Sequence, residues 1–454
     1  MEKNLTTGSV FRNIAIFSLP YLLSYFLQTL YGMADLFIIG QYEGVASTTA
    51  VSVGSQTMHM LTVMIVGLAM GTTVSIGRAV GSGDSRRAAR CTGNTVTLFT
   101  LLSVALTAAL LLLVKPIVAV MSTPEDAVAG TINYLTICFA GIPFITAYNI
   151  ISSVFRGMGD SKSPLYFIAV ACVANIGLDY MFIGVFRLGP AGAALATTLS
   201  QAISVIVSLA VIVKRRAICL TRADLRPDKS AMGEILRIGI PVAVQDGLIQ
   251  IAFMVITIIA NRRGINDAAA VGIVEKIIGF VFLVPSTLLS TVSALGAQNI
   301  GAGKPRRAVQ TLRYAVMLAA GFGLVVSCVM QFAAESVVTL FTDAAAEGGA
   351  DVIRLGGQYL RGYIWDCLFA GIHFSFSGYF CACGKSSLSF MHNIISLVLV
   401  RVPGVYLTSL RFPDTLLPMG FASTAGSILS TAICAVAFAV ILRRSRTSSA
   451  KGEL

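Results

Sequence analysis

The sequence Ser75-Ile-Gly-Arg-Ala-Val-Gly-Ser-Gly-Asp-Ser-Arg-Arg-Ala88 returns 220 positions later as Leu295-Gly-Ala-Gln-Asn-Ile-Gly-Ala-Gly-Lys-Pro-Arg-Arg-Ala308. In both stretches an apolar segment runs into Gly-x-Gly, then a charged or proline-bearing turn, then Arg-Arg-Ala. Gly-x-Gly permits a tight reversal with positive φ between two helices. A single motif of this kind would indicate little. Because the motif returns after about half the length of the chain, we predict that the chain consists of two copies of one unit.

Further matches extend the duplication at a nearly constant shift. Tyr134-Leu135 pairs with Tyr359-Leu360, and Phe155-Arg-Gly-Met-Gly159 pairs with Phe380-Cys-Ala-Cys-Gly384, both 225 positions apart. Chance similarity among Gly- and Ala-rich segments does not easily give several matches in one order and one register. The repeat therefore covers most of the chain.

The composition indicates a membrane protein. Of 454 residues, 56% are hydrophobic and only 12% are charged, and the mean hydropathy is +0.82; ordinary globular chains carry about 25% charged residues. Uncharged runs such as Gly44–Gly77 and Thr415–Leu442 can each cross a hydrocarbon core about 30 Å thick as a helix. We predict an all-α polytopic membrane protein with twelve transmembrane helices, at 11–40, 46–79, 86–114, 127–156, 163–186, 190–213, 233–261, 268–300, 306–334, 350–380, 386–410 and 416–442.

The net charge of +12 is explained by topology, and we expect no nucleic-acid partner. With the N-terminus inside, twenty-four Lys and Arg residues fall on the cytoplasmic side and seven on the external side. Positive charge accumulates in the cytoplasmic loops of membrane proteins. We therefore expect a multi-pass protein in the lipid bilayer of a bacterial inner (plasma) membrane, with both termini cytoplasmic.

The polar segment near mid-chain divides the sequence. We predict an N-terminal six-helix lobe over 1–213, a cytoplasmic linker over 214–232, a C-terminal six-helix lobe over 233–442 and a basic cytoplasmic tail over 443–454. Because six is an even number, both lobes enter the membrane from the same side, which makes a parallel, pseudo-symmetric internal repeat. Such lobes usually face each other across a central cavity, and a path inside one chain fits a monomer.

Charged residues inside the spans need a reason, because each costs roughly 2.5–3.5 kcal/mol at the bilayer centre on insertion scales. In the first half Asp35 and Asp179 are the carboxylates, and Asn175 lies one turn before Asp179 on the same helix face. Thr197 is predicted at a comparable depth in the outer part of the membrane. These oxygen ligands predict a site for Na⁺, held mainly by Asp35 and Asp179, or for a shared proton. The alternative is that Asp35 sits in interfacial water and that Asp179 caps a neighbour.

The second half lacks a counterpart of Asp35. Asp246 and Gln250 lie one turn apart and form the best candidate for a cavity-facing pair. Glu275 with Arg401, or Lys276 with Asp366, can form ion pairs of purely structural value. Aromatic residues could line a cavity for flat cations. The candidates for a substrate cavity are Tyr31, Gln28, Asp246, Gln250, Glu275 and Asp366.

Several motifs in order resemble the multidrug and toxic compound extrusion (MATE) family. They are Ala34-Asp-Leu-Phe-Ile-Ile-Gly40, the two Gly-x-Gly basic loops, Phe155-Arg-Gly-Met-Gly-Asp160 and Asn175-x-x-x-Asp179. The resemblance implies two six-helix lobes that export organic cations, drugs or related amphipaths in exchange for Na⁺ or H⁺, without a cofactor. The family positions for first-lobe cation coupling correspond to Asp35, Asn175, Asp179 and Thr197. The second loop motif departs from the family, since Cys381-Ala-Cys383-Gly384-Lys385 replaces Arg-Gly-x-Gly-Asp.

Two alternatives belong to other classes. A flippase of lipid-linked oligosaccharides would share duplicated six-helix lobes, but we would expect more helices and a strongly basic cavity. An intramembrane aspartyl protease is suggested by Gly157-Met-Gly-Asp160, but Asp160 falls in a loop beside Lys162. We therefore predict a transporter, a secondary active multidrug exporter that works by alternating access, and not an enzyme.

Overall fold

The computed structural model describes residues 4–215, 220–345 and 348–451. Within these ranges the chain is helical and contains no β-strand. The α-helices of the described chain are α1 Val10–Tyr42, α2 Val45–Gly81, α3 Ser85–Val120, α4 Glu125–Ala140, α5 Ile142–Gly157, α6 Lys162–Asp179, α7 Gly189–Arg215, α8 Lys229–Asn261, α9 Ile265–Val281, α10 Leu283–Gly301, α11 Pro305–Val338, α12 Gly349–Tyr363, α13 Asp366–Ala382, α14 Ser386–Ser396, α15 Val402–Arg411 and α16 Leu417–Lys451.

Each of the twelve predicted spans coincides with one helix or with a broken pair. By length and apolar character, ten helical segments of the described chain can cross a membrane, and the pair α4 and α5, bent by 49°, makes eleven. The remaining predicted span corresponds to α12 and α13. Its first half is amphipathic, with Asp351, Arg354 and Arg361 among apolar residues, and its second half contains Asp366 and His373.

The breaks inside spans were not predicted, and prolines account for several of them. A proline lacks the N–H that would bond to the carbonyl four residues earlier, so the helix ladder opens there. Pro143 follows the break between α4 and α5, and Pro285 follows the break between α9 and α10 at Phe282. Pro20 and Pro241, by contrast, lie inside the long helices α1 and α8.

In the described chain two spans contain a π-helical segment. Tyr180–Val185 continues α6 directly after Asp179, and Leu397–Arg401 joins α14 to α15. Short π segments inside helices are frequent at functional sites because they displace side chains from the regular α-helical register. Both segments adjoin or contain a charged residue of interest, namely Asp179 and Arg401.

Four loops of the described chain share one backbone motif. Gly83, Gly159, Gly303 and Gly384 each have a φ between 68° and 87°. In each loop the glycine N–H and the N–H of the next residue bond back to the preceding helix in the Schellman pattern. Positive φ is costly for side-chain-bearing residues, so the glycines fix these turns. The shared motif supports the predicted duplication, including the loop at Gly384 whose sequence departs from the others.

The chain forms two compact units. The first unit comprises 1–8, 15–243 and 297–304, and the second comprises 9–14, 244–296 and 305–454. The first unit packs α2 against α3, α4 and α5, and α6 against α7, whereas the second packs α11 against α13 and α16 against α12 and α13. Each unit has its own apolar core, one around Tyr134 and Phe139 and the other around Tyr359 and Tyr363.

The segment before α8 is attached to α3 in the first unit. Asn94, which is fully buried, donates from Nδ2 to the carbonyl of Asp224 (3.3 Å) and accepts at Oδ1 from the N–H of Asp228 (2.7 Å). Thr97 Oγ1 donates to the carbonyl of Leu225 at 2.8 Å, and Arg90 pairs with Asp228. The described part of the predicted linker, from residue 220 onward, is therefore a docked segment; residues 216–219 lie outside the described residues.

Candidate ion-coupling site

The four predicted cation ligands come together in the first unit. Asp35 lies on α1, Asn175 and Asp179 lie one turn apart on α6, and Thr197 lies on α7. Asp35 is 3% exposed, and Asn175 and Asp179 are fully buried. Since α6 packs directly against α7, the side chains of three spans meet away from solvent. Asp35 does not sit in interfacial water, and Asp179 is held inside the helix bundle.

The hydrogen bonding around these residues is incomplete. Thr197 Oγ1 donates to Asp35 Oδ2 at 3.0 Å. Asp179 and Asn175 lie close enough to interact with the carboxyl group of Asp35. Within the described ranges, however, Asp35 Oδ1, both carboxylate oxygens of Asp179 and both polar atoms of Asn175 have no hydrogen-bond partner of good geometry. Buried polar groups are almost always paired, and a proton shared by the two carboxyl groups or a bound cation would supply the missing partners.

The donor set suits a small cation. The unpaired atoms include carboxylate and amide oxygens, which are hard ligands suited to Na⁺, and two adjacent carboxylates can instead share a proton. Two buried negative charges repel each other, and either ion relieves that repulsion. No group of three or more His, Cys, Asp or Glu side chains in the described chain could hold a metal ion, so a transition-metal centre is not indicated.

Further polar residues of α1 and α7 lie near Asp35. Gln201 Nε2 donates to the hydroxyl of Tyr31 at 3.4 Å, and Tyr31 is close enough to Asp35 and Tyr148 to interact with both. Gln28 in turn interacts with Tyr148. The structure therefore places Tyr31 beside Asp35, and Gln28 beside Tyr148, which in turn interacts with Tyr31. Sequence reasoning missed Gln201, although its position one turn after Thr197 on α7 was a usable signal.

The second unit holds a different charged cluster. Arg401 donates from Nη2 to Asp366 Oδ2 at 2.6 Å and to the hydroxyl of Tyr363 at 2.8 Å. Glu275 accepts a hydrogen bond from Thr257 Oγ1 at 3.1 Å and interacts electrostatically with Arg401. The direct ion pair of Arg401 is thus with Asp366, while Lys276 is exposed. The sequence suggested the participants but did not assign this pairing.

The remaining candidates lie on α8 in the same unit. Asp246 is half-buried and interacts with the side chain of Gln245, whose Oε1 accepts from Ser389 Oγ at 2.8 Å. Gln250, one turn later, is also half-buried. Neither Asp246 nor Gln250 belongs to the Arg401 cluster as the structure describes it. They remain candidates for contact with a substrate.

Asp160 has a structural role. Its Oδ1 accepts from the N–H groups of Lys162 (2.9 Å) and Ser163 (3.2 Å), and its Oδ2 accepts from Ser163 Oγ (2.6 Å). These are the bonds of a residue that caps the start of α6. The Gly-x-Gly-Asp motif is therefore a turn that ends α5, followed by a residue that caps α6. The observation that suggested a protease is thus explained by local structure.

Comparison with known proteins places the chain in a family. The MatE family model matches residues 20–181 and 241–407, one match in each half. The chain belongs to the MATE family. The probable multidrug resistance protein YpnP of Bacillus subtilis (strain 168) is 30% identical over 401 residues, which cover 88% of each chain. The FAD transporter of Shewanella oneidensis is 24% identical and covers 92% of this chain and 94% of its own.

Solved structures of MATE proteins have the same fold. A crystal structure of MATE in complex with MaL6 superposes with a TM-score of 0.89 at 22% identity and covers 99% of both chains. The predicted all-helical architecture of two six-helix lobes is confirmed. MATE relatives are transporters, not enzymes, and the matches do not favour the flippase alternative. The protein is thus a multi-pass membrane transporter of the MATE family.

Proposed function

We propose that this MATE protein is a secondary active multidrug exporter that exchanges organic cations or amphipathic toxic compounds for Na⁺ or H⁺ by alternating access of its two lobes. The observation that carries the proposal is the buried Asp35 and Asp179 pair with unpaired oxygens. A relative with a multidrug resistance name supports drugs as the substrate class. The FAD transporter among the relatives makes FAD a substrate worth testing beside cations.

The coupling step follows from electrostatics. A Na⁺ or H⁺ that reaches Asp35 and Asp179 offsets one of the two buried negative charges and removes most of their mutual repulsion, which lowers the free-energy cost of repacking α1, α6 and α7. Na⁺ would be held by Asp35 Oδ1, Asp179 and the Asn175 amide oxygen, with Thr197 fixing the orientation of Asp35. An ion shifts a conformational equilibrium only if it binds the two states with different affinity. Carboxylates that are neutralised in one state supply that difference.

The substrate would contact residues next to this pair and on α8. Tyr31 offers an aromatic face beside Asp35, and Gln28 offers an amide two turns before Asp35 on α1. Asp246 and Gln250 offer a half-buried acid and amide. Glu275 and Asp366 are further candidates, although both interact with Arg401. Organic cations are attracted by carboxylates and by aromatic faces.

We further propose the arrangement in the membrane that charge distribution indicates. The lobes are 1–213 and 233–442, the linker is 214–232 and the basic tail is 443–454, and the protein works as a monomer without a cofactor in a bacterial inner membrane. Both termini are cytoplasmic, because twenty-four of the Lys and Arg residues then face the cytoplasm and seven face outward. Cysteine accessibility at the tail and at Asp126, in the exposed first turn of α4, would test the orientation.

The function is tested by transport into proteoliposomes of a fluorescent cation, and separately of FAD, under imposed Na⁺ and pH gradients. We expect substrate flux that is driven by one of the gradients and lost in Asp35→Asn. Asp126→Asn, which removes an exposed acid, is the matched control and should transport normally. Flux that responds to neither gradient would reject antiport, and absence of flux for every substrate would reject the export role.

A further inference from the structure

The second unit buries a fixed positive charge. The Arg401 side chain is 13% exposed and its partner Asp366 is fully buried. The guanidinium also lies over the rings of Phe253, at 5.6 Å, and Tyr363, at 5.4 Å. Because a guanidinium stays protonated in proteins, this cation is permanent.

Two acids face the guanidinium. Asp366 makes the direct pair, and Glu275 adds a second carboxylate within interaction range. In the described chain Glu275 Oε1, Asp366 Oδ1 and Arg401 Nε have no hydrogen-bond partner. The group therefore resembles the first unit's pair of acids, except that an arginine interacts with both carboxylates.

A cavity adjoins this group inside the second unit. Its volume is about 50 Å³, and its walls include Asp366, Arg401, His373, Asn393 and Ser427. A water molecule needs roughly 10–15 Å³ of such space and two to four polar partners. The cavity can accordingly hold a few waters but no drug-sized molecule, which needs roughly 300 Å³ or more.

The first unit offers the contrast. Apart from each other, Asp35 and Asp179 have only uncharged neighbours among the contacts described for them, such as Thr197 and Asn175, and neither makes an ion pair with a basic residue of the described chain. Two buried carboxylates without a counter-charge attract a cation. Two carboxylates around a guanidinium do so far less, because a second cation would be repelled at close range.

We propose that Arg401 is a built-in counter-cation that occupies the place a coupling ion would take in the second lobe, so that ion coupling is confined to Asp35 and Asp179. Arg401 is then a specificity-determining residue, because it neutralises Asp366 and offsets part of the attraction that Glu275 would exert on a cation. This inference rests on the proposed antiport function, but it concerns which lobe carries the ion.

The test uses ion-dependent thermal stabilisation of purified full-length protein, titrated with NaCl at fixed ionic strength and, separately, with pH. We expect the wild-type shift to be unchanged in Glu275→Gln and in Asp366→Asn, and to be lost in Asp35→Asn/Asp179→Asn. Adding Arg401→Met to that double variant should restore a Na⁺- or proton-dependent shift, because Asp366 and Glu275 are then uncompensated. Arg401→Lys in the same background should restore none.

Loss of the wild-type shift in Asp366→Asn or Glu275→Gln would overturn the proposal, since the second lobe would then bind the coupling ion despite Arg401. Absence of any new shift in folded Arg401→Met protein would also overturn it. If Arg401→Met does not fold, Arg401→Gln replaces it, and the two acid variants decide the question without it. A wild-type protein with no ion dependence would reject the antiport function, whereas the Arg401→Met arm would still show whether removing the guanidinium creates a cation site.

Discussion

Thr197 Oγ1, on α7, donates a 3.0 Å hydrogen bond to Asp35 Oδ2, on α1. The bond engages one carboxyl oxygen and leaves Oδ1 without a hydrogen-bond partner in the described ranges, while Asn175 and Asp179 lie within interaction range of the same carboxyl group. Asp35 is therefore a ligand with a fixed orientation, unlike an exposed carboxylate, which rotates freely.

Replacing either carboxylate removes the proposed ion response. In Asp35→Asn and in Asp179→Asn we expect loss of gradient-driven flux while the fold is kept, because Asn retains size and polarity but cannot be neutralised by a cation. The measurement is fluorescent-substrate transport in proteoliposomes, with circular dichroism to verify folding. Asp126→Asn is the control, and coupled transport by both buried variants would contradict the assignment.

Removing the orienting hydrogen bond should weaken ion binding without abolishing it. A hydrogen bond to a charged group contributes roughly 1.5–3 kcal/mol, so Thr197→Val should raise the ion concentration for half-maximal transport by roughly 10- to 100-fold. Thr197→Ser keeps the hydroxyl and should stay near wild type. If the Val and Ser variants need the same ion concentration for half-maximal transport, the hydrogen bond does not contribute to ion binding.

Asp160, in the loop before α6, should affect the stability of the protein and not its transport activity. Asp160→Ala loses the capping bonds to Lys162 and Ser163 and should cost about 1 kcal/mol, seen as a lower thermal midpoint. Asp160→Ser restores a capping oxygen and should recover most of the loss. Because transport per folded molecule should persist in both variants, a complete loss of transport in Asp160→Ser would indicate a role beyond capping.

The docked segment before α8 can be tested by proteolysis. Asn94→Ala removes the bonds to the backbone of Asp224 and Asp228. Each lost bond contributes about 1 kcal/mol, so trypsin should cut several-fold faster after the exposed residue Arg222. Thr100→Ala, an exposed position on the same helix, is the control. An unchanged cleavage rate in Asn94→Ala would mean that other contacts hold the segment.

Close helix packing makes Gly81 intolerant of a side chain. A Cβ at Gly81 would meet the backbone carbonyl of Gln298, and a Cβ at Gly301 would meet that of Arg78; all four residues belong to the first unit. Gly81→Val should therefore lower the thermal midpoint and the yield of folded protein. Gly321→Ala, with nothing near its Cβ, should be neutral or stabilising by about 0.5–1 kcal/mol. A neutral Gly81→Val would contradict the close approach.

The helices and the duplication could be predicted because they are local properties of the sequence. Long uncharged runs give spans, and Gly-x-Gly followed by Arg-Arg gives the turn between them. The breaks were missed because a proline can either break a span, as at Pro285, or be absorbed within a long helix, as at Pro241. Neighbouring packing decides between these outcomes, and it is not visible in one segment.

The candidate site divides in the same way. Asp35, Asn175, Asp179 and Thr197 were predictable because charged and polar groups are costly in a membrane and therefore few, so depth alone brings them together. Gln201 and the pairing of Arg401 with Asp366 were not, because several acids and bases in the second half could pair.

The sequence by itself determined that the chain is a duplicated bundle of membrane helices and which carboxylates it buries, because hydropathy, turn residues and charge are carried by each segment alone. Tertiary structure decided which buried charges are compensated. Asp366 receives a guanidinium and Asp35 receives only a hydroxyl, since that depends on the rotation and breaks of helices far apart in the chain.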